Sequence, residues 1–230
     1  MSQDLGQPAS PDRAKPAVED YLKTIYLLAE TEAPVSTSRI AEARAVSPAS
    51  VTNMVQRLAE RELVDYRKHR GVTLTDEGER QALRTIRRHR LLELYLTEAL
   101  GFRWDEVHDQ AELLEHAASD ALIDRIAAVL GDPSHDPHGD PIPAKDGTIA
   151  AMDDLPLTAL APGERARVSR ILDDSNGELL RHLAELGLVP GAAFELLGEA
   201  PMNGPLTLRV AGEERVVGRT VASLVRVRRE

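Results

Sequence analysis

The sequence contains no cysteine, which excludes disulfide bonds and thiolate metal ligands and is typical of a chain kept in a reducing compartment. It also lacks any apolar run of about 18 residues, the length that a membrane-spanning helix needs. The N-terminal stretch MSQDLGQPASPDRAKP is polar and lacks the apolar core of a signal peptide. We therefore expect a cytoplasmic protein with no membrane segment, whose residues 1–16 form a flexible arm.

A net positive charge, the usual mark of a nucleic-acid-binding chain, is also absent, since the formal net charge is −10. The distribution of the charges changes this conclusion. Residues 36–90 carry 12 Lys and Arg against 7 Asp and Glu, whereas residues 91–164 carry 3 against 16. The acidity is concentrated in the middle of the chain, and a basic segment precedes it. This asymmetry indicates two different functions on one chain.

The pattern of residues 17–75 predicts a winged helix-turn-helix domain. Apolar residues recur at helical spacing in AVEDYLKTIYLLAETE, and a short helix follows in STSRIAEARA. A third helix begins with Ser47 as its N-cap and Pro48 at its first position. The segment LVDYRKHRGVTLTDEG then predicts two short strands around a basic turn. Three helices followed by a two-stranded wing are typical of this DNA-binding fold.

Two helical stretches dominate residues 76–143. The first carries EGERQALRTIRRHRLLELYLTEALG and ends at Gly101, and the second extends from Asp105 to Leu130 with a break near Ser119. Proline, glycine and aspartate are then concentrated in GDPSHDPHGDPIPAKDG, which predicts a loop. We therefore expect a helical domain over residues 76–143 and a linker over residues 144–154.

The pattern changes to short β-strands over residues 155–230. Segments such as ERARVSRIL, AAFELLGEA and PLTLRVA are separated by glycine and proline, and one helix lies among them. This predicts a small, partly open SH3-like barrel. The fold class is therefore mainly α with a small β part: a winged helix-turn-helix, a helical domain and a C-terminal SH3-like barrel. The stretch GELLRHLAELGLVPG resembles small domains attached to iron-transport systems, so a protein-docking role for the barrel stays open.

The helix that starts after Ser47 presents small polar side chains at its N-terminal end, the end that a recognition helix inserts into the major groove. Hydroxyl and amide groups can contact base edges and phosphates there, and the Ala49 methyl group can contact thymine. Nearby basic residues supply phosphate contacts and the salt dependence that accompanies them. The candidate DNA-binding residues are Arg39, Ser47, Ala49, Ser50, Thr52, Asn53, Arg57, Lys68 and Arg70. A solvated helix face would explain any one of them, but the order of helix, turn, capped helix and basic wing favours DNA binding.

The segment HDQAELLEH at residues 108–116 places two histidines and three carboxylates within nine residues. At 100° per residue, four of these side chains share an arc of about 100°: His108, Glu112, Glu115 and His116. The residues that we expect to face the core lie on a separate arc: Val107, Ala111, Leu114 and Ala118. Carboxylates held this closely repel one another unless a cation neutralises them. Oxygen and imidazole ligands without sulfur suit a fairly hard divalent ion such as Mn²⁺ or Fe²⁺.

A second pair, His89 and Glu93, lies four residues apart on the preceding helix, so both side chains point the same way. Histidine and glutamate at this spacing often make only a surface contact. Two such sets on consecutive helices, within a segment whose net charge is −13, instead favour a group of metal ligands.

Five stretches of the sequence, taken in order, match the pattern of one known family: EDYLKTIY at 19–26, SPASVTNMVQRL at 47–58, HRLLE at 89–93, VHDQAELLEH at 107–116 and PHGDPIP at 137–143. Together they resemble the diphtheria-toxin-repressor family of metal-dependent bacterial repressors, which has iron-responsive and manganese-responsive branches. The resemblance implies a winged-helix DNA-binding domain, a helical metal-binding and dimerisation domain, and a C-terminal SH3-like domain. All three agree with the pattern described above.

The resemblance also implies two metal sites. The primary site would take its ligands from Asp20, Glu112, Glu115 and His116. The ancillary site would take its ligands from His89, Glu93 and His108, with an acidic residue of the C-terminal domain, Asp173 or Asp174. The iron branch has methionine and cysteine in place of Asp20 and Glu112, so these two carboxylates match the manganese branch. Lys23 stands where the manganese branch has a further glutamate, which argues against a closely spaced two-metal cluster.

The resemblance thus implies a regulator and not an enzyme. We expect bound Mn²⁺, with Fe²⁺ as the other candidate, to favour a homodimer that binds a palindromic operator and represses metal-uptake genes. One alternative is a winged-helix regulator that senses a small organic ligand or a partner protein, with the carboxylates as surface charge. A metalloenzyme is the other alternative, since a His/Glu site with an open position can activate water. The sequence contains neither a nucleophile motif nor a glycine-rich phosphate loop to support it.

Overall fold

The computed structural model describes residues 14–230, so residues 1–13 of the expected flexible arm lie outside the described residues. The prediction is wrong for residues 14–16, which belong to the first helix. The chain divides into an N-terminal unit that ends at Ile86 and a C-terminal unit over Arg87–Glu230. Among the described residues, no helix combines the length and the apolar character that crossing a membrane requires.

The N-terminal unit contains the three helices and the wing that the sequence predicts. Its elements are α1 (Ala14–Ala29), α2 (Thr37–Ala43), α3 (Pro48–Glu60), β1 (Val64–Arg67) and β2 (Gly71–Leu74). The hydroxyl of Ser47 caps α3 by accepting the backbone N–H of Ser50. β1 and β2 pair in antiparallel register to form the wing. The predicted winged helix-turn-helix is therefore confirmed.

The core of this unit fixes which face of α3 is exposed. Fully buried members of the core come from all three helices: Leu22, Ile25, Ile40, Val51, Val55 and Leu58. Burying one such side chain stabilises the fold by about 1.5–3 kcal/mol. Because Val51, Val55 and Leu58 recur at helical spacing, the polar residues between them are turned outward.

Three helices follow the wing: α4 (Asp76–Leu100), α5 (Val107–Glu115) and α6 (Asp120–Val129). α4 ends where Gly101 takes a positive φ of 73°, a conformation that glycine adopts at no steric cost. The predicted break near Ser119 is confirmed, because its hydroxyl accepts the N–H of Leu122 and caps α6. The predicted start of the second helical stretch was two residues early, since α5 begins at Val107.

The C-terminal part is a six-stranded antiparallel sheet with two helices. Its elements are β3 (Leu155–Pro156), a 3₁₀ turn (Leu157–Ala159), β4 (Arg165–Ile171), α7 (Gly177–Glu185), β5 (Ala193–Glu199), β6 (Leu206–Val210), β7 (Glu213–Val217), α8 (Arg219–Ser223) and β8 (Val225–Arg229). The strand order is β3-β8-β4-β5-β6-β7. The SH3-like barrel is therefore confirmed, while β3 and α8 were too short for the sequence pattern to show.

A bulge in β4 changes which of its side chains face the barrel core. Buried and exposed residues alternate up to Val168, and the register with β8 then shifts between Val168 and Arg170. Ile171 consequently faces the core, and its N–H donates to the carbonyl of His138 at 3.0 Å. Gly139 lies so close to β4 that a Cβ atom there would be 2.0 Å from the carbonyl oxygen of Ser169. The loop that contains His138 therefore packs directly on the barrel.

Asp154 is bound by two arginines of the barrel, and only 1% of its side chain is exposed. Its carboxylate accepts hydrogen bonds from Arg170 Nε at 2.9 Å and from Arg226 Nε at 2.8 Å. Burial alone would raise the pKa of Asp154, but the bonds from Arg226 and Arg170 outweigh burial and lower this pKa. The carboxylate is therefore ionised in the folded protein well below neutral pH.

We expect Asp154→Ala to lower the free energy of unfolding by about 3–5 kcal/mol, because it removes a buried carboxylate that accepts hydrogen bonds from two arginines. A carboxyl whose pKa is lowered by folding stabilises the protein above its unfolded pKa of about 3.9, and this contribution is lost as the pH falls through the folded value. Urea unfolding should therefore show a large difference between variant and wild type at pH 7 and a smaller one near pH 3. The exposed neighbour Asp153 provides the control, since Asp153→Ala should change stability by less than about 0.5 kcal/mol. A pH-independent difference for Asp154→Ala would contradict the electrostatic explanation.

Candidate metal centre

Four residues that the sequence suggested as ancillary ligands lie together in the C-terminal unit. His89 and Glu93 come from α4, His108 from α5, and Asp174 from the loop between β4 and α7. One ligand atom from each residue lies within 4.8 Å of the others. His89 Nε2 is 3.0 Å from Glu93 Oε1 and 3.3 Å from His108 Nδ1. His108 Nδ1 is in turn 3.6 Å from Asp174 Oδ1. Three separate segments of the chain thus supply one compact set of donors, the Glu93 centre.

The structure distinguishes between the two aspartates that the sequence left open. Asp174 faces the Glu93 centre, whereas the Asp173 carboxylate accepts a hydrogen bond from the hydroxyl of Ser175 at 3.0 Å. The loop between β4 and α7 therefore presents Asp174 as the candidate ligand from the barrel.

The spacing of these atoms fits a bound divalent ion. Metal–ligand distances of about 2.1 Å separate adjacent ligands by about 3.0 Å in an octahedron and about 3.4 Å in a tetrahedron. The separations of 3.0, 3.3 and 3.6 Å around His89 and His108 are close to these values. Neither oxygen of Glu93 accepts a hydrogen bond of normal geometry from any residue that the structure describes. The donor set could therefore hold a divalent ion.

Two further residues, which sequence reasoning missed as ligands, lie close to the Glu93 carboxylate. Asp136 and His138 lie in the loop before the linker, and with Glu93 they form a fully buried group of ligand atoms within 4.8 Å. His138 Nδ1 is 3.7 Å from Glu93 Oε2, and His138 Nε2 donates to the carbonyl of Trp104 at 2.7 Å. Both residues lie in or next to PHGDPIP, a stretch that the resemblance singled out without assigning it ligands. Glu93 is thus shared by two groups of donors.

The pKa values in the Glu93 centre show how the groups share charge. Burial alone would raise the pKa of Glu93, but the charge of His89 and the close approach of the His108 and His138 rings hold it well below its usual range. Burial and the charge of Glu93 raise the pKa values of Asp136 and Asp174. Burial opposes a charge on His138, yet Glu93 and Asp136 raise its pKa to about 9. A divalent ion bound among these groups would therefore compete with protons for the same donor atoms.

The candidate primary ligands of the C-terminal unit lie on or next to α5. His89, Glu112 and Glu115 offer ligand atoms within 4.8 Å of one another. His89 Nδ1 is 2.6 Å from Glu115 Oε2, and His116 Nε2 is 3.6 Å from Glu115 Oε1. The two ring nitrogens of His89 therefore face two different candidate sites.

The predicted inward arc of α5 is wrong at one position. Val107, Ala111 and Ala118 are buried as expected, but 43% of Leu114 is exposed. Glu115 has no exposed surface, because His89 on α4 supplies its buried carboxylate with a hydrogen-bonding partner. The helix therefore turns a charged ligand candidate inward and a leucine outward.

Asp20, the remaining candidate for the primary site, lies on α1 of the N-terminal unit. Its Oδ2 accepts a hydrogen bond from Arg44 Nη2 at 2.8 Å. The guanidinium carbon of Arg44 also lies 5.4 Å from the centre of the Tyr21 ring. The carboxylate of Asp20 is thus paired with a cation within its own unit, and a metal ion at this residue would compete with Arg44.

The candidate DNA-binding residues of α2, α3 and the wing are exposed, except for half-buried Thr52. Two of the hydroxyls also serve the helix itself. Ser47 caps α3, and the Thr52 hydroxyl donates to the carbonyl of Pro48 at 2.9 Å. Arg57 is exposed toward the C-terminal end of α3, and Lys68 lies in the turn between β1 and β2. The N-terminal unit therefore presents a polar, basic surface along α3 and the wing.

Three parts of the chain match known protein families. Residues 15–72 match the family described as iron dependent repressor, N-terminal DNA binding domain. Residues 75–144 match iron dependent repressor, metal binding and dimerisation domain, and residues 155–229 match the FeoA domain. The first two matches cover α1 to β2 and α4 to α6, and the third covers the barrel.

Individual proteins show the same similarity. The iron-dependent repressor IdeR of Mycobacterium tuberculosis is 31% identical over 211 residues, which cover 86% of this chain and 90% of that protein. The HTH-type transcriptional regulator MntR of Bacillus pumilus is 43% identical over 115 residues, or 50% of this chain and 79% of that protein. A solved structure of a manganese-dependent transcriptional repressor in complex with manganese is 40% identical, with a TM-score of 0.86. It covers 93% of this chain and 100% of that chain.

Proposed function

The chain belongs to the iron-dependent repressor family of metal-dependent, DNA-binding transcriptional regulators, and on this premise we propose that Mn²⁺ is the metal to which it responds. Membership of this family decides against the metalloenzyme, because its members are repressors and not enzymes. It also decides against a sensor of small organic ligands.

The observation that carries the proposal is the Glu93 centre. Its oxygen and imidazole donors come from three segments, lie at the spacing of adjacent metal ligands, and include a buried carboxylate whose oxygens accept no normal hydrogen bond from the described residues. The proposed ancillary ligands are His89, Glu93, His108 and Asp174, with Asp136 and His138 available to the second oxygen of Glu93. The proposed primary ligands are Asp20, Glu112, Glu115 and His116, with Asp20 included on the strength of the family resemblance alone.

The chemistry of the donors favours Mn²⁺, with Fe²⁺ as the second candidate. The sequence has no cysteine, so the ligands are carboxylate oxygens and imidazole nitrogens, which suit hard and borderline divalent ions. One relative is a manganese-dependent repressor in complex with manganese, whereas IdeR is named as iron-dependent. Glu112 is the position that best separates the two, because the resemblance gives the iron branch a cysteine there.

We expect Glu112→Cys to move the metal preference from Mn²⁺ toward softer ions such as Zn²⁺ and Co²⁺, because a thiolate replaces a carboxylate oxygen. Competition titrations with Mn²⁺, Fe²⁺, Co²⁺ and Zn²⁺ on the full chain measure the ranking. Glu112→Asp is the matched control, since it keeps an oxygen ligand and should keep the wild-type order. An identical ranking in wild type and Glu112→Cys would remove Glu112 from the ligand set, and a wild-type chain that binds no Mn²⁺ would reject the proposed ion.

The regulator acts on operator DNA as a homodimer, and we propose that the operator is palindromic because two identical α3 helices would then enter successive major grooves. When bound, the ion supplies the positive charge that offsets repulsion among the carboxylates. The proposed primary ligands come from both units, because Asp20 lies in the DNA-binding unit and the others lie on or next to α5, so ion binding and DNA binding would be energetically coupled. We propose that the genes repressed in this way encode proteins for metal uptake into the cytoplasm.

A further inference from the structure

We propose that two arginine–aspartate anchors hold the segment over residues 170–181 against the helical part of the C-terminal unit, so that Asp174 is presented to the Glu93 centre as a fixed ligand. The inference rests on the proposed function, because it concerns how one proposed ligand is positioned. It makes Arg170 and Arg181 positioning residues for metal binding, although neither contacts the ion itself.

The first anchor lies at the start of the segment. Arg170 Nη1 donates to Asp140 Oδ1 at 2.8 Å, and both side chains are almost entirely buried, with 13% and 10% exposed. Asp140 belongs to the loop that also contains His138, and the N–H of Ile171 donates to the His138 carbonyl at 3.0 Å. Arg170 is in turn fixed from the barrel side by Asp154. A side-chain bond and a backbone bond thus join the end of β4 to the loop that faces Glu93.

The second anchor lies at the end of the segment. Arg181 Nη1, on α7, donates to Asp105 Oδ2 at 3.0 Å, and only 1% of the Asp105 side chain is exposed. α7 begins at Gly177, where a Cβ atom would lie 2.9 Å from the carbonyl oxygen of Asp105. Next to it, Trp104 packs against the barrel core. The start of α7 is therefore held directly on the segment between α4 and α5.

Asp174 lies between these two anchors, four residues after Arg170 and seven before Arg181. A ligand on a mobile loop must be ordered when the ion binds, and the lost conformational entropy weakens binding. Anchors that order the loop beforehand remove this loss, as outer partners of metal ligands commonly do. A purely structural role, in which the anchors only attach the barrel, would leave metal affinity independent of Asp174.

The experiment compares Mn²⁺ binding by calorimetry and amide hydrogen exchange across residues 171–181 in full-length variants. The variants are Arg170→Gln/Arg181→Gln, Arg181→Gln alone, Asp174→Asn, and the three changes combined. Arg181→Gln is the milder test, because about half of the Arg181 side chain is exposed (48%) and its loss leaves the Arg170 anchor intact. Arg209→Gln is the matched control, since Arg209 pairs with Glu195 on the barrel sheet and touches neither anchor.

We expect the double variant to weaken Mn²⁺ binding at one site by about 10- to 100-fold and to accelerate exchange across the segment. Arg181→Gln should change both in the same direction, and Arg209→Gln should change neither. In the Asp174→Asn background the anchor changes should weaken binding no further. The inference would be overturned if the folded anchor variants bound Mn²⁺ with wild-type affinity. It would also be overturned if the anchor changes weakened Mn²⁺ binding as much in the Asp174→Asn background as in the wild type. If the double variant does not fold, Arg181→Gln decides. A wild-type chain that binds no Mn²⁺ would instead refute the proposed function, and the inference with it.

Discussion

Mn²⁺ should strengthen operator binding by the wild-type chain by about 5- to 150-fold, and Glu112→Ala should abolish this response. The range corresponds to a coupling free energy of about 1–3 kcal/mol, which is typical of two linked sites in a regulator. Glu112 is the better position for this test than Glu115, because Glu112 is half-buried, whereas Glu115 is fully buried and hydrogen-bonded to His89. Asp20→Ala should abolish the response in the same way if Asp20 is a ligand. Fluorescence anisotropy on operator DNA, with Mn²⁺ and with a chelator, measures the effect.

Arg57→Ala separates loss of the metal response from loss of DNA contact. Arg57 is exposed on α3, so its removal should weaken DNA binding with and without Mn²⁺ and reduce the salt slope by about one. The ratio between the two conditions should stay at the wild-type value. Equal affinity of the wild-type chain in chelator and in Mn²⁺ would contradict the proposed regulation, whatever Arg57→Ala does.

The sequence was most informative where the structure depends on local chemistry. Ser47 and Pro48 marked the start of α3, Gly101 the end of α4, and Ser119 the break between α5 and α6. These residues act through their own backbone geometry or through a hydrogen bond a few residues away, so the pattern carries the information by itself. The winged helix and the barrel follow from the same kind of signal repeated along the chain.

The sequence was least informative where a residue's environment is made by a distant segment. The periodicity of α5 placed Leu114 inward. The neighbouring sequence does not show that Glu115 can be buried, because its hydrogen-bonding partner, His89, comes from another helix. Asp136 and His138 lie in a stretch whose proline and glycine content predicts only a loop. Their role depends on Glu93, which the chain brings to them from α4. Local composition contains no information about such a tertiary contact.

Only the folded structure shows that one residue can belong to two groups of candidate ligands. Glu93 is the clearest example. One of its oxygens faces His89 and His108, and the other faces His138. Glu93→Gln keeps the size of the side chain but removes the charge that both groups require. Its effect on metal binding should therefore exceed that of removing any ligand that belongs to one group alone.

We expect Mn²⁺ at about 100 times its dissociation constant to stabilise the wild-type C-terminal unit by about 2.7 kcal/mol and to raise its melting temperature by about 5–10 °C. Glu93→Gln should lose most of this increase. Trp104, the single tryptophan of the chain, gives a second measurement, because its ring stacks on His138 at 5.7 Å. Mn²⁺ should quench its fluorescence in the wild type and much less in Glu93→Gln. Glu98→Gln, an exposed change on the same helix, should behave like the wild type in both measurements. Undiminished stabilisation and quenching in Glu93→Gln would show that the ion binds outside the Glu93 centre.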